Sequence, residues 1–293
     1  MADFNKIYRS YLERFNAHLE KFCDGLNKCT PSVLGDSLVY SLRLGGKRVR
    51  PVLMMAVADI IGTGADKVMD YALALELIHT YSLIHDDLPD MDNDDFRRGK
   101  PSNHKVFGTG NAILAGDGLL NTAYSVLFNE CFKGNEYVSA AKYICDCAGI
   151  HGMIAGQSAD LLHEKDAEAD EETLKFIYEN KTSKLLMAAV VVPSILNGGK
   201  YYSELKELGK KLGYLFQLTD DILDVTGNFE KLGKSLGKDE EEGKLTGIKV
   251  YGLDNCKLRV DIIGDDCIKI IDGIEGDASF LYGFVSFIKT RLG

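Results

Sequence analysis

Apolar residues recur every three or four positions along almost the whole chain. Ile7/Tyr11/Phe15/Leu19, Leu73/Leu77/Ile84, Leu174/Ile177/Tyr178 and Leu205/Leu208/Leu212/Leu215 are examples. That spacing is the signature of helices with one buried face, so the sequence predicts an all-α fold. Met1 to Phe22 mixes Asp, Lys, Arg and Glu with spaced apolar residues. It reads as an amphipathic helix and not as a secretory signal. Val190-Val191-Val192 is the most strand-like triplet, but it lies in a run of Ala, Leu and Met and is expected as buried helix. The longest apolar stretch, Leu185 to Leu196, is interrupted by Pro193 and is too short to cross a bilayer, so no membrane span is expected. Gly45-Gly46, Gly62-Thr63-Gly64, Pro89, Gly99-Lys100-Pro101, Gly198-Gly199 and Gly227 punctuate the pattern. No linker rich in Pro, Ser or Gly divides it, and residues 1–293 are expected to form a single domain. The polar stretches Glu164 to Glu172 and Lys238 to Lys244 read as loops beside a site.

Two acidic runs break the pattern. One is His85-Asp86-Asp87-Leu88-Pro89-Asp90-Met91-Asp92 and the other is Asp220-Asp221-Ile222-Leu223-Asp224. Both end a long apolar helix, so neither resembles a freely solvated face. Two like charges about 4 Å apart repel by about 1 kcal/mol in water and about 4 kcal/mol at an effective dielectric near 20. Carboxylates crowded against Leu, Ile and Val therefore need counter-charge. Oxygen donors with no Cys or His at ligand spacing suit hard cations, Mg²⁺ first, and such an ion usually completes its shell with substrate phosphates. On the second helix, Gly213, Gln217, Asp220, Asp221 and Asp224 fall near one stripe, while Leu212, Leu215, Leu218 and Ile222 lie on other faces. The first helix is expected from Tyr71 to Asp87, with Glu76, His79, Asp86 and Asp87 near one face, ended by Pro89.

Basic and polar residues sit near these runs. Arg97-Arg98-Gly99 follows the first, a pattern suited to a metal-bound polyanion because guanidinium forks bind phosphate oxygens in pairs. Gly45-Gly46-Lys47-Arg48-Val49-Arg50-Pro51 reads as a glycine turn opening a helix, an anion site in miniature with Lys47 and Arg50 on one side. Gly156-Gln157-Ser158-Ala159-Asp160 and Lys181-Thr182-Ser183-Lys184-Leu185 intrude on apolar helices. Taken singly, a surface Lys and a back-bonded Thr would explain Lys181 and Thr182 equally well. The net charge of −10 argues against nucleic acid as a partner. Seven Cys without a CxxC pair, with Cys145 and Cys147 too close for an ordinary bridge, fit free thiols in a reducing cytoplasm. No zinc, Rossmann or Gly-x-Ser-x-Gly signature is present.

Taken in order, the segments 45–51, 85–92, 97–101, 114–117, 156–160, 181–185, 216–224 and 233–239 resemble the trans-polyprenyl diphosphate synthases, most of all the short-chain bacterial farnesyl type. The resemblance implies a helical bundle around a deep central cavity and usually a homodimer. It implies condensation of isopentenyl diphosphate with an allylic diphosphate, dimethylallyl or geranyl, to farnesyl diphosphate. Asp86, Asp87, Asp92, Asp220, Asp221 and Asp224 would then be the metal set, with Asp86, Asp92 and Asp220 foremost and three Mg²⁺ per site. Arg97, Lys181 and Lys234 would bind the allylic diphosphate; Lys47, Arg50, His79 and Arg98 the isopentenyl one. Thr182 and Gln217 would face the allylic carbon. Tyr81 and Ser82, five and four residues before Asp86, would lie where the growing tail arrives, and only Tyr81 is bulky enough to stop it. Two positions depart from the family pattern: Gly247 where an aromatic residue is usual, and Thr109 where an acidic one is frequent. Geranyl or geranylgeranyl synthesis, a terpene cyclase and a non-catalytic subunit are the alternatives. Lys47, Arg50 and Arg98 argue against the cyclase and the two acidic runs against the subunit.

Overall fold

The computed structural model describes residues 2–29, 31–164, 170–226 and 243–290. Fourteen helices account for nearly all of the structure described: α1 (Ala2–Cys29), α2 (Ser32–Arg43), α3 (Val49–Ile61), α4 (Met69–Asp86), α5 (Asn103–Phe107), α6 (Thr109–Cys131), α7 (Asn135–Ala148), α8 (Met153–Leu162), α9 (Glu171–Ile177), α10 (Lys184–Ile195), α11 (Tyr202–Thr226), α12 (Gly247–Tyr251), α13 (Leu253–Ile271) and α14 (Ser279–Thr290). A π-helical segment, Tyr178–Ser183, joins α9 to α10. The strand content described is a two-residue hairpin, β1 (Phe96–Arg97) with β2 (Lys100–Pro101). The all-α expectation holds, and the valine triplet lies inside α10 with each residue fully buried.

Helices α4 and α10 are the inner ones. Tyr71 to Ile78 and Leu185 to Val192 are buried on every face, as a helix apolar all round must be. Around them, α4 packs on α6 and α3, while α10 packs on α11, α3 and α7. The amphipathic α1 runs seven residues past Phe22 and lays Phe4, Tyr8 and Tyr11 against Phe280 and Phe287 of α14. Among the described residues no helix is long and apolar enough to cross a membrane. Lys234 and residues 238–242 lie outside the described residues.

The glycine turn opens α3 as expected, with a refinement. Gly45, Gly46 and Arg48 all have positive φ and the helix begins at Val49, so Lys47 stands on the turn before the helix. Arg48 points inward. Its guanidinium pairs with Glu76 at 2.7 Å, both side chains 2% exposed, and donates to the Leu42 carbonyl. The helix after the second polar stretch starts at Gly247, capped by the Thr246 hydroxyl on Lys249 N–H. Thr109 is the exposed first residue of α6.

Candidate active site

A cavity of about 1330 Å³ opens between α3, α4, α8, the π segment and α11. That exceeds the usual range for one small molecule, about 300–1,000 Å³, and leaves room for two. Lys47, Arg50, His79, Tyr81, Ser82, Asp86, Asp92, Arg97, Lys181, Thr182, Gln217, Asp220, Asp221 and Asp224 all line it. Helices distant in sequence thus bring both acidic runs to one space. Asp87 and Arg98 do not line it.

The loop after α4 folds back on the helix end. Asp92 N–H donates to the Asp86 carbonyl at 2.8 Å and Asn93 N–H to the Leu88 carbonyl at 3.0 Å, which sets Asp92 beside Asp86. Burial pushes the Asp86 carboxyl up to about 6, with Asp92 and Asp87 adding to the effect and Lys181 and Arg97 opposing it. A proton therefore competes with any cation for this group well above the usual carboxylate range. Lys244 lies 3.3 Å from Asp92. The basic partners missing within the acidic runs come instead from other parts of the chain.

The second Asp of each pair is placed unlike the first. Asp87 is buried and its carboxylate is gripped by the Arg97 guanidinium through Nε at 2.9 Å and through Nη2, which also reaches Asp94 at 3.2 Å. Asp221, 2% exposed, accepts from the Tyr178 hydroxyl, from Gly247 N–H at 2.6 Å and from Gln217 Nε2 at 3.2 Å. Asp87, expected among the metal ligands, is paired with Arg97 and is not among the residues that line the cavity. Arg97, expected on a diphosphate, borders the cavity while holding Asp87. Gly247 earns its departure from an aromatic residue by crowding. A Cβ there would sit 2.5 Å from Leu218 and 3.4 Å from the Asp221 carboxylate.

Lys181 and Thr182 ride on the π segment, the wider turn in which single-turn bulges at functional sites are often found. Two glycines let neighbouring helices approach it. A Cβ on Gly156 of α8 would meet Lys181 N at 2.1 Å, and one on Gly213 of α11 would meet Ser183 Cα at 2.3 Å. Lys181 Nζ bonds Asp160 at 2.5 Å. Burial opposes its charge, but Asp160, Asp86 and Asp92 outweigh burial and raise its pKa. Thr182 Oγ1 donates to Gln217 Oε1 at 2.8 Å. Since Gln217 Nε2 donates to Asp221, the order of this short chain is fixed, and the Thr182 oxygen keeps its lone pairs for the cavity.

A second group of basic side chains faces a different set of charges from Lys181. Burial, helped by Arg98 and resisted by Glu76 and Asp220, pulls the Arg50 guanidinium down to about 10. Burial and then Arg50, Arg98, Arg97 and Arg48 push His79 well below its ordinary value, so the imidazole is neutral. Arg98 occupies the tip of the hairpin with Gly99, both at positive φ, the geometry of a type I′ turn. From there it donates to the Gly45 carbonyl and covers Gly46, whose Cβ would meet it at 2.6 Å. Lys47 lies 5.5 Å over the Phe287 ring, and its carbonyl accepts from the Tyr8 hydroxyl at 2.5 Å. A crowd of like charges at this density is what an incoming polyanion would relieve. Nothing in the sequence singles out Asp160, Lys244, Tyr178 or Arg48 from their neighbours. Asp160 and Lys244 were within motifs already quoted, whereas the Tyr178–Asp221 and Arg48–Glu76 pairs span 43 and 28 residues.

Comparison with known proteins agrees with this geometry. Residues 31–269 match the polyprenyl synthetase family model. The farnesyl diphosphate synthase of Bacillus subtilis is 39% identical, over 99% of this chain and 97% of its own. A chloroplastic geranylgeranyl pyrophosphate synthase of Capsicum annuum is 45% identical, over 89% of this chain and 72% of its own. Among solved structures, a geranyltransferase of Legionella pneumophila superposes with a TM-score of 0.87 at 31% identity, covering 99% of this chain and 98% of the other. One from Helicobacter pylori, complexed with magnesium and isoprenyl diphosphate, gives 0.81 at 28%, covering 97% and 96%.

Proposed function

The chain belongs to the polyprenyl synthetase family and is a prenyltransferase, and from that premise we propose that it condenses isopentenyl diphosphate with dimethylallyl or geranyl diphosphate and releases farnesyl diphosphate. The observation that carries this reading is one cavity lined by two sets of basic side chains with different electrostatic neighbours: Lys181 beside Asp160, Asp86 and Asp92, and Lys47 with Arg50, which faces Glu76, Arg98 and Asp220 next to the neutral His79. Two diphosphates need two such groups, and a cyclase acting on one substrate needs only one.

Mg²⁺ fits the donor set. Among the described residues no three ligating side chains cage an ion by themselves. This suits an ion held by one or two carboxylates plus substrate phosphates. Asp86, Asp92, Asp220 and Asp224 would hold three ions per site, with Asp221 fixing the helix that carries the last two. Bound Mg²⁺ would neutralise the charge on the departing diphosphate.

The chain's own residues do the rest. Lys181, supported by Asp160, binds the allylic diphosphate, with Arg97 and Lys234 as further contacts in this reading. Lys47, Arg50 and His79 hold the isopentenyl diphosphate, and Arg98 steadies the glycine turn that carries Lys47. As the allylic C–O bond breaks, the Thr182 lone pairs, aimed by Gln217, face the carbocation; such preorganised dipoles stabilise developing charge without reorganising. Apolar Leu120, Met153, Leu185 and Phe216 keep water from it. The isopentenyl double bond attacks and the proton lost goes to the released diphosphate.

Chain length rests on Tyr81. It is 6% exposed, lines the cavity one turn below Asp86, and burial with Tyr124 and Asp86 nearby pushes its hydroxyl up to about 12. Ser82 beside it turns its hydroxyl back to the His79 carbonyl at 3.0 Å and blocks nothing. The relatives named geranylgeranyl synthases favour a twenty-carbon product as the second reading. Product chromatography decides. Wild type is expected to stop at fifteen carbons and Tyr81→Ala to run on to twenty or more. A Tyr81→Ala product still limited to fifteen carbons places the stop elsewhere.

The same reading takes residues 1–293 as one domain, supported by one continuous apolar core from Phe4 to Ile288. It takes the compartment as a reducing cytoplasm, supported by free Cys23, Cys131, Cys145, Cys147, Cys256 and Cys267. It takes the active form as a homodimer, supported by exposed apolar side chains along α6.

A further inference from the structure

Tyr81 does not stand alone in the cavity wall. The edge of its ring meets His85, four residues on, with centroids 5.7 Å apart and planes at 80°. His85 in turn is held by α6. Its Nε2 lies 3.1 Å from the Ile113 carbonyl and 3.9 Å from an Asp117 carboxylate oxygen. A carbonyl only accepts, so Nε2 carries the proton in that bond. Gly116 lies directly beneath the ring. A Cβ there would come within 2.0 Å of His85 Nε2 and 2.4 Å of Cδ2, so any other residue would expel the imidazole. Tyr81, His85 and Asp117 all line the cavity. The α4–α6 contact is thereby keyed at one ring, and that ring bears on the residue where the product tail is read to end.

We propose that His85 is a positioning residue for product length: seated over Gly116 and bonded to Ile113, it holds the Tyr81 ring across the path of the growing chain. This deepens the reading of Tyr81 as the stop and rests on it. An i, i+4 aromatic contact on an ordinary surface helix would leave both rings free to change rotamer. Here one ring is locked to a second helix, so the other loses the side it would swing to. The tail of a fifteen-carbon product presses on Tyr81 at every turnover, and a wall that yields even part of the time admits another five-carbon unit.

The test measures the ratio of twenty- to fifteen-carbon products by chromatography, at saturating substrates and Mg²⁺, with turnover and melting temperature recorded for each variant. His85→Ala removes the brace. His85→Phe keeps a ring edge against Tyr81 in nearly the same volume. Gly116→Ala expels the imidazole by a change on α6 alone. His85→Ala and Gly116→Ala are expected to raise the ratio by about two- to tenfold, the span an aromatic pair contributes to a side-chain equilibrium, and His85→Phe to stay near wild type. In a Tyr81→Ala background, His85→Ala is expected to add nothing, because the brace acts through the ring already removed. If Tyr81→Ala lengthens the product and both His85→Ala and Gly116→Ala keep the wild-type ratio, the brace is refuted and the stop survives. If Tyr81→Ala leaves the product at fifteen carbons, the stop itself is refuted, and the brace with it. A purely structural role for His85 would lower melting temperature and turnover without moving the ratio. Should His85→Ala not fold, Gly116→Ala and His85→Phe give the same decision.

Discussion

Consecutive residues on a helix point about 100° apart, so an Asp-Asp pair cannot offer both carboxylates to one cavity wall in the same way. In each pair here the first, Asp86 or Asp220, lines the cavity, and the second is buried on a partner from elsewhere, Asp87 away from the cavity and Asp221 at its edge. The two roles predict opposite consequences for the same substitution. Asp86→Ala and Asp220→Ala are expected to lower turnover roughly a hundred- to thousandfold, the cost of one charge-stabilising contact in a closed site, with the melting temperature nearly unchanged. Asp87→Ala leaves the Arg97 guanidinium, 14% exposed, with Asp94 at 3.2 Å as its remaining carboxylate contact, and the loss of the closer buried partner is expected to cost about 1–3 kcal/mol. Its expected signature is a drop in melting temperature first and activity second. Steady-state turnover at limiting Mg²⁺ and thermal melts on the same samples check both halves. Near-normal turnover in Asp86→Ala or Asp220→Ala would remove the metal assignment. Sequence spacing alone could put carboxylates on a helix face. It could not show that Asp87 has Arg97 ten residues on, or that Asp221 has Tyr178 and Gly247, because those partners meet only once the helices have packed.

At the scale of elements, the π segment is the feature helical periodicity could not supply. Apolar positions run from Leu174 to Tyr178 and again from Leu185 to Leu196, and the polar stretch Glu179 to Lys184 between them carries no sign of its own that the turn widens. The extra residue per turn appears only in the structure, where Tyr178–Ser183 widens and the Ser183 hydroxyl donates to the Tyr178 carbonyl at 3.0 Å. The clue was in the glycines on other helices: Gly156 and Gly213 sit opposite the bulge with no space for a methyl group. Gly213, on the helix that carries the acidic stripe, is also the socket that seats Ser183, next to Lys181 and Thr182. Gly213→Ala therefore forces a Cβ onto backbone, and overpacking of this kind costs about 1–3 kcal/mol. The expected result is a lower melting temperature together with a raised KM for the allylic diphosphate and little change in KM for isopentenyl diphosphate. Equal KM values for both substrates, before and after the change, would separate the bulge from the placement of Lys181. The helices themselves were legible because a buried face imposes its period on sequence; α4 was placed within two residues at its start and one at its end.

For the whole molecule, the division into two anion sites is a claim about distance between groups that no single motif carries. Arg50 belongs with Arg98, Glu76 and Asp220, and Lys181 with Asp160, Asp86 and Asp92. Arg50→Ala is expected to raise KM for isopentenyl diphosphate and Lys181→Ala that for the allylic substrate. Each shift should be roughly ten- to a hundredfold, as for a charge-assisted contact worth about 1.5–3 kcal/mol. Equal effects of both on both substrates would merge the sites into one. The outer surface carries a further expectation. Ile113, Leu114 and Phe128 of α6 are 41%, 56% and 70% exposed, and Phe132 just beyond its end is 90% exposed. Leu114 and Phe128 are about four turns apart and therefore on the same side. Large apolar side chains exposed at both ends of one helix face, with Asp117, Asn121 and Ser125 between them, on a protein of net charge −10 form a surface that a second copy would cover. The same helix meets His85 through the Ile113 carbonyl, Gly116 and Asp117, so association would stiffen the wall behind Tyr81. Leu114→Glu with Phe128→Glu is expected to halve the mass in light scattering. It should also raise the share of products longer than fifteen carbons, while isolated folding, read by circular dichroism, stays intact. A wild-type protein that runs as a monomer at micromolar concentration would show that this face serves something other than self-association.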